Sequence, residues 1–145
     1  LRSLEKVIVF QLNDKEYALP VTQVLAIEKL QHITRVPLTA PFILGVMNLR
    51  GVIIPVIDLK KRFGMEDDTG ADTEERKLII VRFGEIETGL LVDEATDVLD
   101  IDEKKVEPEP EVVNAGKEDF ISGVANINQR LLLLLDLEKT LTPLQ

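Results

Sequence analysis

Gly45-Val46-Met47-Asn48-Leu49-Arg50-Gly51-Val52-Ile53-Ile54-Pro55-Val56-Ile57-Asp58-Leu59 returns later in the chain, without a gap, as Gly123-Val124-Ala125-Asn126-Ile127-Asn128-Gln129-Arg130-Leu131-Leu132-Leu133-Leu134-Leu135-Asp136-Leu137. The register holds further on, with Lys61 over Lys139 and Phe63 over Leu141. Each copy is a pair of apolar runs about a two-residue turn, the pattern of a β-hairpin. Each hairpin is followed by an Asp where a short helix starts. Asp58 and Asp136 are therefore expected to cap helices rather than to form a catalytic pair. Asn48 and Asn126 are expected to be turn residues, because Asn bonds its own backbone there.

The upstream strands repeat as well. Residues 11–21 (QLNDKEYALPV) lie over residues 82–92 (RFGEIETGLLV), and residues 24–27 over 95–98. The matches come in the same order in both halves. Further strands are expected over 6–12, 16–19, 26–29, 77–83, 88–92 and 96–101, with one helical turn near Pro20. Residues 65–75 are acidic and almost free of apolar side chains, which suits a connection between halves. Residues 102–117 hold Pro108 and Pro110 and suit an exposed loop. Short strands and turns in this succession predict a mainly β chain, a barrel or a sandwich, and the duplication predicts two similar small barrels. Each barrel is too small to bury a large core, so an apolar layer shared between them is expected. Residues 1–145 then form one domain, with halves near 1–70 and 71–145 and room for strand exchange between them.

The repeat separates scaffold from candidates. A position kept in both copies serves the fold; one that differs is free to serve a partner. Arg50-Gly51 faces Asn128-Gln129. Gly51 permits φ > 0 and leaves Arg50 projecting from the hairpin tip. Pro55, opposite Leu133 in the second copy, points to an edge strand, since Pro cannot donate to a ladder.

Composition removes several chemistries. The 145 residues include no cysteine, so disulfides, thiolate metal sites and cysteine nucleophiles are absent, and a reducing compartment fits. Net charge is −9 and pI about 4.7, which opposes phosphate-driven nucleic-acid binding. Aromatics are 4% with no Trp, leaving few stacking platforms. The apolar run 131–135 is too short to span a bilayer, and the first residues carry no signal-peptide pattern. Ser3 and Ser122 stand outside any G-x-S-x-G setting. His32 has no nearby ligand pattern. The acidic stretch fails the calcium-loop pattern, because Gly70 would put Met65 at the first ligand position. No glycine-rich phosphate loop occurs. No cofactor or metal is expected. A hydrolase acting through carboxylates alone is the one enzymatic reading left open by these residues.

The run from Phe42 to Leu59, with its N-L-R-G-x-x-x-P-V-I-D-L string, closely resembles the signature of the CheW-like family of chemotaxis coupling proteins. Residues 10–19, Gly89-Leu90-Leu91-Val92-Asp93 and residues 123–136 extend the resemblance over essentially the whole chain. It implies two pseudo-symmetric five-stranded SH3-like barrels. It also implies a non-catalytic cytoplasmic adaptor that joins chemoreceptor tips to the regulatory domain of the histidine kinase CheA. No nucleic acid and no direct membrane insertion are expected; recruitment to membrane-associated receptor arrays is. Arg50 matches a family position tied to receptor and kinase coupling. Val24, Ile27, Gly45, Leu78 and Val98 fall where a receptor-contact groove between the barrels is expected, although apolar residues on strands are equally core. At Ala26 many relatives carry a Glu implicated in receptor contact, which Ala cannot reproduce. The loop from Glu107 to Val112 falls where the resemblance implies a second, weaker kinase-facing surface. The N-terminal domain of a CheV-type protein and a CheA regulatory domain fragment fit the same residues.

Overall fold

The computed structural model describes residues 4–37, 39–65, 76–107 and 120–141. In chain order the strands are β1 Leu4–Leu12, β2 Lys15–Pro20, β3 Val24–Lys29, β4 Ile43–Leu49, β5 Val52–Asp58, β6 Lys77–Phe83, β7 Ile86–Val92, β8 Glu94–Asp102, β9 Val106–Glu107, β10 Ile121–Ile127 and β11 Arg130–Leu135. Short helices α1 Leu59–Arg62 and α2 Leu137–Leu141 follow β5 and β11, and Val21–Gln23 is a 3-10 turn.

Two sheets account for every strand among the described residues. One runs β8-β1-β2-β11-β10-β9 and the other β3-β6-β7-β5-β4. The two halves of the chain exchange their first hairpins. β1–β2 joins β8–β11, and β6–β7 joins β3–β5. The division at 70/71 therefore marks the repeat in the sequence, while each unit in space draws on both halves.

The duplication extends to irregularities. The ladder shifts between Ile43 and Gly45 and again between Ile121 and Gly123. It also shifts at Val24/Ala26 and opposite Val9/Phe10, each time where an edge strand meets its neighbour. A bulge bends a strand and increases its twist, which closing a small sheet requires.

Three apolar clusters are formed among the described residues. Met47, Ile54, Val56, Leu78, Ile80 and Leu91 pack inside the first barrel. Val7, Val9, Ala18, Ile101, Ala125 and Leu132 pack inside the second. The largest cluster lies between the barrels and draws on both sheets and both helices. It contains a run of rings, with centroids 5.7 Å apart for Phe10–Tyr17, 5.9 Å for Tyr17–Phe63 and 4.9 Å for Phe63–Phe120.

The helix caps follow the sequence. Asp58 Oδ1 accepts from the amides of Lys60 (3.0 Å) and Lys61 (3.4 Å), and Asp136 Oδ1 accepts from the amide of Lys139 (3.1 Å). Pro55 is a correction: β5 is interior, between β7 and β4. The amide and carbonyl of Val46 both bond to Thr34, away from β5. Val46–Pro55 is thus a non-hydrogen-bonded pair, and Pro55's ring nitrogen faces β7. The parallel ladder to β7 takes up only at Val56, so the missing donor costs no ladder bond.

Candidate protein-interaction site

The β4–β5 hairpin turns on Arg50 (φ 53°) and Gly51 (φ 89°), the double positive φ of a type I′ turn. Asn48 Oδ1 accepts from the Gly51 amide at 2.8 Å and braces the turn. The Arg50 side chain is 74% exposed, and its Nη2 lies 3.2 Å from Glu28 Oε2 on β3. An exposed pair of this kind adds little stability. Its effect is to hold the guanidinium over the edge of the first barrel.

Ala26 carries no acceptor; the carboxylate of β3 is that of Glu28, two residues on, which pairs with Arg50. Sequence reasoning missed it. The available signal was that Glu28 is the one acidic residue between Glu16 and Asp58. Its counterpart in the second copy is Leu99, and that of Arg50 is Asn128, so the second barrel has no equivalent pair.

The second tip differs in other ways. Asn128 (φ 51°) and Gln129 (φ 68°) take the same turn without a glycine. Arg130 is bidentate to Glu16 (3.1 and 2.6 Å) and reaches Asp97 at 2.7 Å. These carboxylates hold its guanidinium protonated beyond its ordinary range. The matching residue of the first barrel is Val52, apolar and half exposed.

The expected groove residues divide sharply. Ile27 on β3 and Val98 on β8 are 43% and 56% exposed. They are counterparts in the repeat, and each lies on an edge strand, paired with Ile79 and Ile8 respectively. Val24 is partly buried and packs on the shared core. Leu78 is a correction: it is fully buried inside the first barrel and presents nothing to a partner. Gly45 is a second correction. It is buried beneath the Ile33–Thr34 backbone, where a Cβ would stand 2.1 Å from the Thr34 carbonyl oxygen. Its need for glycine is steric. A second pair of counterparts, Ile53 (61%) and Leu131 (53%), is exposed beside the two hairpin tips. Glu107 is exposed on β9, and Val112 lies outside the described residues. His32 is exposed.

A family model described as the CheW-like domain matches residues 6–145. The chemotaxis protein CheW of Bacillus subtilis is 45% identical over 136 residues, covering 94% of this chain and 86% of that protein. The chemotaxis protein CheW of Klebsiella aerogenes is 34% identical over 95% of this chain and 82% of its own length. The chain belongs to the CheW-like family. The crystal structure of the scaffolding protein TtCheW from Thermoanaerobacter tengcongensis superposes with a TM-score of 0.83 at 37% identity, covering 93% of this chain and 86% of that one. The two-sheet, SH3-like architecture is therefore that of a solved member of the CheW-like family.

Among the described residues, no group of three or more His, Asp or Glu could hold a metal ion, and no helix is long and apolar enough to cross a membrane. At the surface, the arginine held at a hairpin tip by a carboxylate belongs to one copy of the repeat, while exposed apolar side chains on an edge strand occur in both.

Proposed function

We propose that this chain is a non-catalytic cytoplasmic adaptor that couples chemoreceptors to the regulatory domain of a CheA-type histidine kinase at receptor arrays. The observation that carries the reading is the matched exposure of Ile27 and Val98 on the edge strands of the two barrels. Large apolar side chains left in water at equivalent places on both units are what a docking face requires. A helical receptor tip would lay its apolar stripe against them. Arg50, steadied by Glu28, would take a carboxylate or carbonyl at the rim. Ile53 and Leu131 beside the tips, with Glu107 on β9, would meet the kinase domain, which in this family shares the fold. The carboxylates paired by the repeat, Asp58 and Asp136, serve as helix caps, which supports a structural rather than a catalytic role for that pair.

The test is a pull-down with a receptor tip fragment and the kinase regulatory domain, comparing the intact chain with Arg50→Ala and with Ile27→Ala/Val98→Ala. Both variants should keep the fold and lose binding by roughly tenfold or more, in line with about 1.4 kcal/mol per decade. Unchanged binding together with unchanged kinase activation would refute the assignment.

A further inference from the structure

The chain crosses between the barrels at two equivalent places, and the two crossings are built differently. From β2 to β3 it passes through the 3-10 turn Val21–Gln23, which has no side-chain cap. Thr22 there is exposed, and Gln23 Oε1 is buried with no hydrogen-bond partner among the described residues. From β7 to β8 it passes through a single residue, Asp93, the counterpart of Thr22.

Asp93 holds both barrels at once. On the side of the second barrel, its amide donates to the Gln11 carbonyl (3.0 Å), and its Oδ2 accepts from the Asn13 amide (2.7 Å) in the β1–β2 turn. On the side of the first barrel, Lys60 Nζ of α1 lies 2.8 Å from Oδ1 and Arg76 Nε, next to β6, lies 3.6 Å away. Arg76 Nη1 also lies 4.0 Å from Asp58. The side chains are only 9% (Asp93), 3% (Lys60) and 7% (Arg76) exposed. Coulombic attraction in such a dry setting is far stronger than at a surface. The counterparts of Lys60 and Arg76 are Glu138 and Glu5, so the other crossing has no such cluster. The repeat acts as an internal control: the duplicated fold makes the same crossing without ions.

We propose that Asp93 is a one-sided clamp between the barrels. It makes the β7–β8 crossing a fixed pivot and leaves the Thr22 crossing as the place where the barrels yield. The relative placement of the edge strands β3 and β8, which the two crossings feed, then depends on this carboxylate.

The absence of cysteine permits a direct test with spin labels at Glu85→Cys, in the β6–β7 turn, and Lys104→Cys, beyond β8. The inter-label distance distribution should be narrow in the parent and at least twofold broader in Asp93→Asn. Lys60→Met, which keeps Asn13 and Arg76 on the carboxylate, should give an intermediate width. Thr22→Val, and a core variant inside one barrel, Leu132→Ala, should keep the narrow distribution. Equal widths in Asp93→Asn and the parent would overturn the proposal. So would loss of the fold in both Asp93→Asn and Lys60→Met, which would make the cluster a general requirement for folding.

Discussion

Arg62 donates through Nε to the main-chain oxygen of Thr140 at 3.1 Å, and Thr140 is the residue that occupies Arg62's own place in the second copy. The same guanidinium lies 4.9 Å from the centroid of Phe42 and 4.4 Å from that of Phe120, which are counterparts too. A residue bonded to its own counterpart, between two equivalent rings, marks the pseudo-twofold axis. Hydrogen bonds to a charged group contribute about 1.5–3 kcal/mol and cation–π contacts roughly 0.5–2 kcal/mol. Arg62→Ala should therefore lower the unfolding free energy by about 2–4 kcal/mol in urea titrations. Arg62→Lys should recover less than half of it, since an ammonium lacks the planar fork.

Gly45 and Gly123 make the same bulge but not the same contact. At Gly45 (φ 150°) a methyl group would stand 2.1 Å from the Thr34 oxygen and 2.8 Å from Ile33 Cγ2. At Gly123 the nearest atoms are the Glu107 oxygen at 2.9 Å and Val106 Cγ1 at 3.0 Å. Gly45→Ala should cost about 3 kcal/mol and Gly123→Ala about 1 kcal/mol, within the range for forced backbone shifts. Equal losses in thermal or urea unfolding would contradict the difference in packing.

Gln129 sits at φ 68°, where its counterpart Gly51 sits at φ 89°. An L-residue in the left-handed region costs roughly 1–2 kcal/mol, partly offset by glycine's greater freedom when unfolded. Gln129→Gly should raise stability by about 0.5–1 kcal/mol, and Gly51→Gln should lower it by a similar amount. A shift of both variants in the same direction in urea midpoint would be inconsistent with this turn geometry.

Tyr17 is the one tyrosine of the chain. Burial, with Asp14 adding to it, pushes its phenol up to about 12. Its hydroxyl lies 3.8 Å from the Met65 sulfur. Below pH 10 the phenol is protonated in folded and unfolded chains alike, and stability does not depend on it. Between about 10 and 12 the unfolded chain loses its proton first, so stability falls as pH rises, by up to about 2–3 kcal/mol at 1.36 kcal/mol per unit. Ultraviolet titration of the phenolate should show the late transition, and Tyr17→Phe should remove this part of the alkaline loss. A transition at pH 10 in the folded protein would rule the effect out.

What could be read from the residues was whatever is local or repeated. The hairpin signature at Arg50-Gly51, the caps at Asp58 and Asp136 and the shared apolar layer all follow from short-range pattern. What could not be read was long-range placement. The exchange of β1–β2 and β6–β7 leaves every strand intact and alters only its neighbours, so periodicity is blind to it. Pro55 was misleading because the same missing donor suits an edge or a stretch where a parallel ladder has not begun. Leu78 and Val98 are both apolar residues on strands, and only the neighbours of β6 and β8 decide that one is sealed and the other wet. Glu28 escaped because its meaning depends on a hairpin tip twenty-two positions away.

The hairpin exchange also bears on how the molecule comes into being during synthesis. β3 has no neighbour until β6 emerges at Lys77, and β1 and β2 wait for β8 and β11. A nascent chain holding only the first repeat can close neither barrel. The β1–β2 hairpin must stay out of trouble on the ribosome until β8 and β11 have left the tunnel. Slow, all-at-once maturation is the cost of weaving two copies into each other.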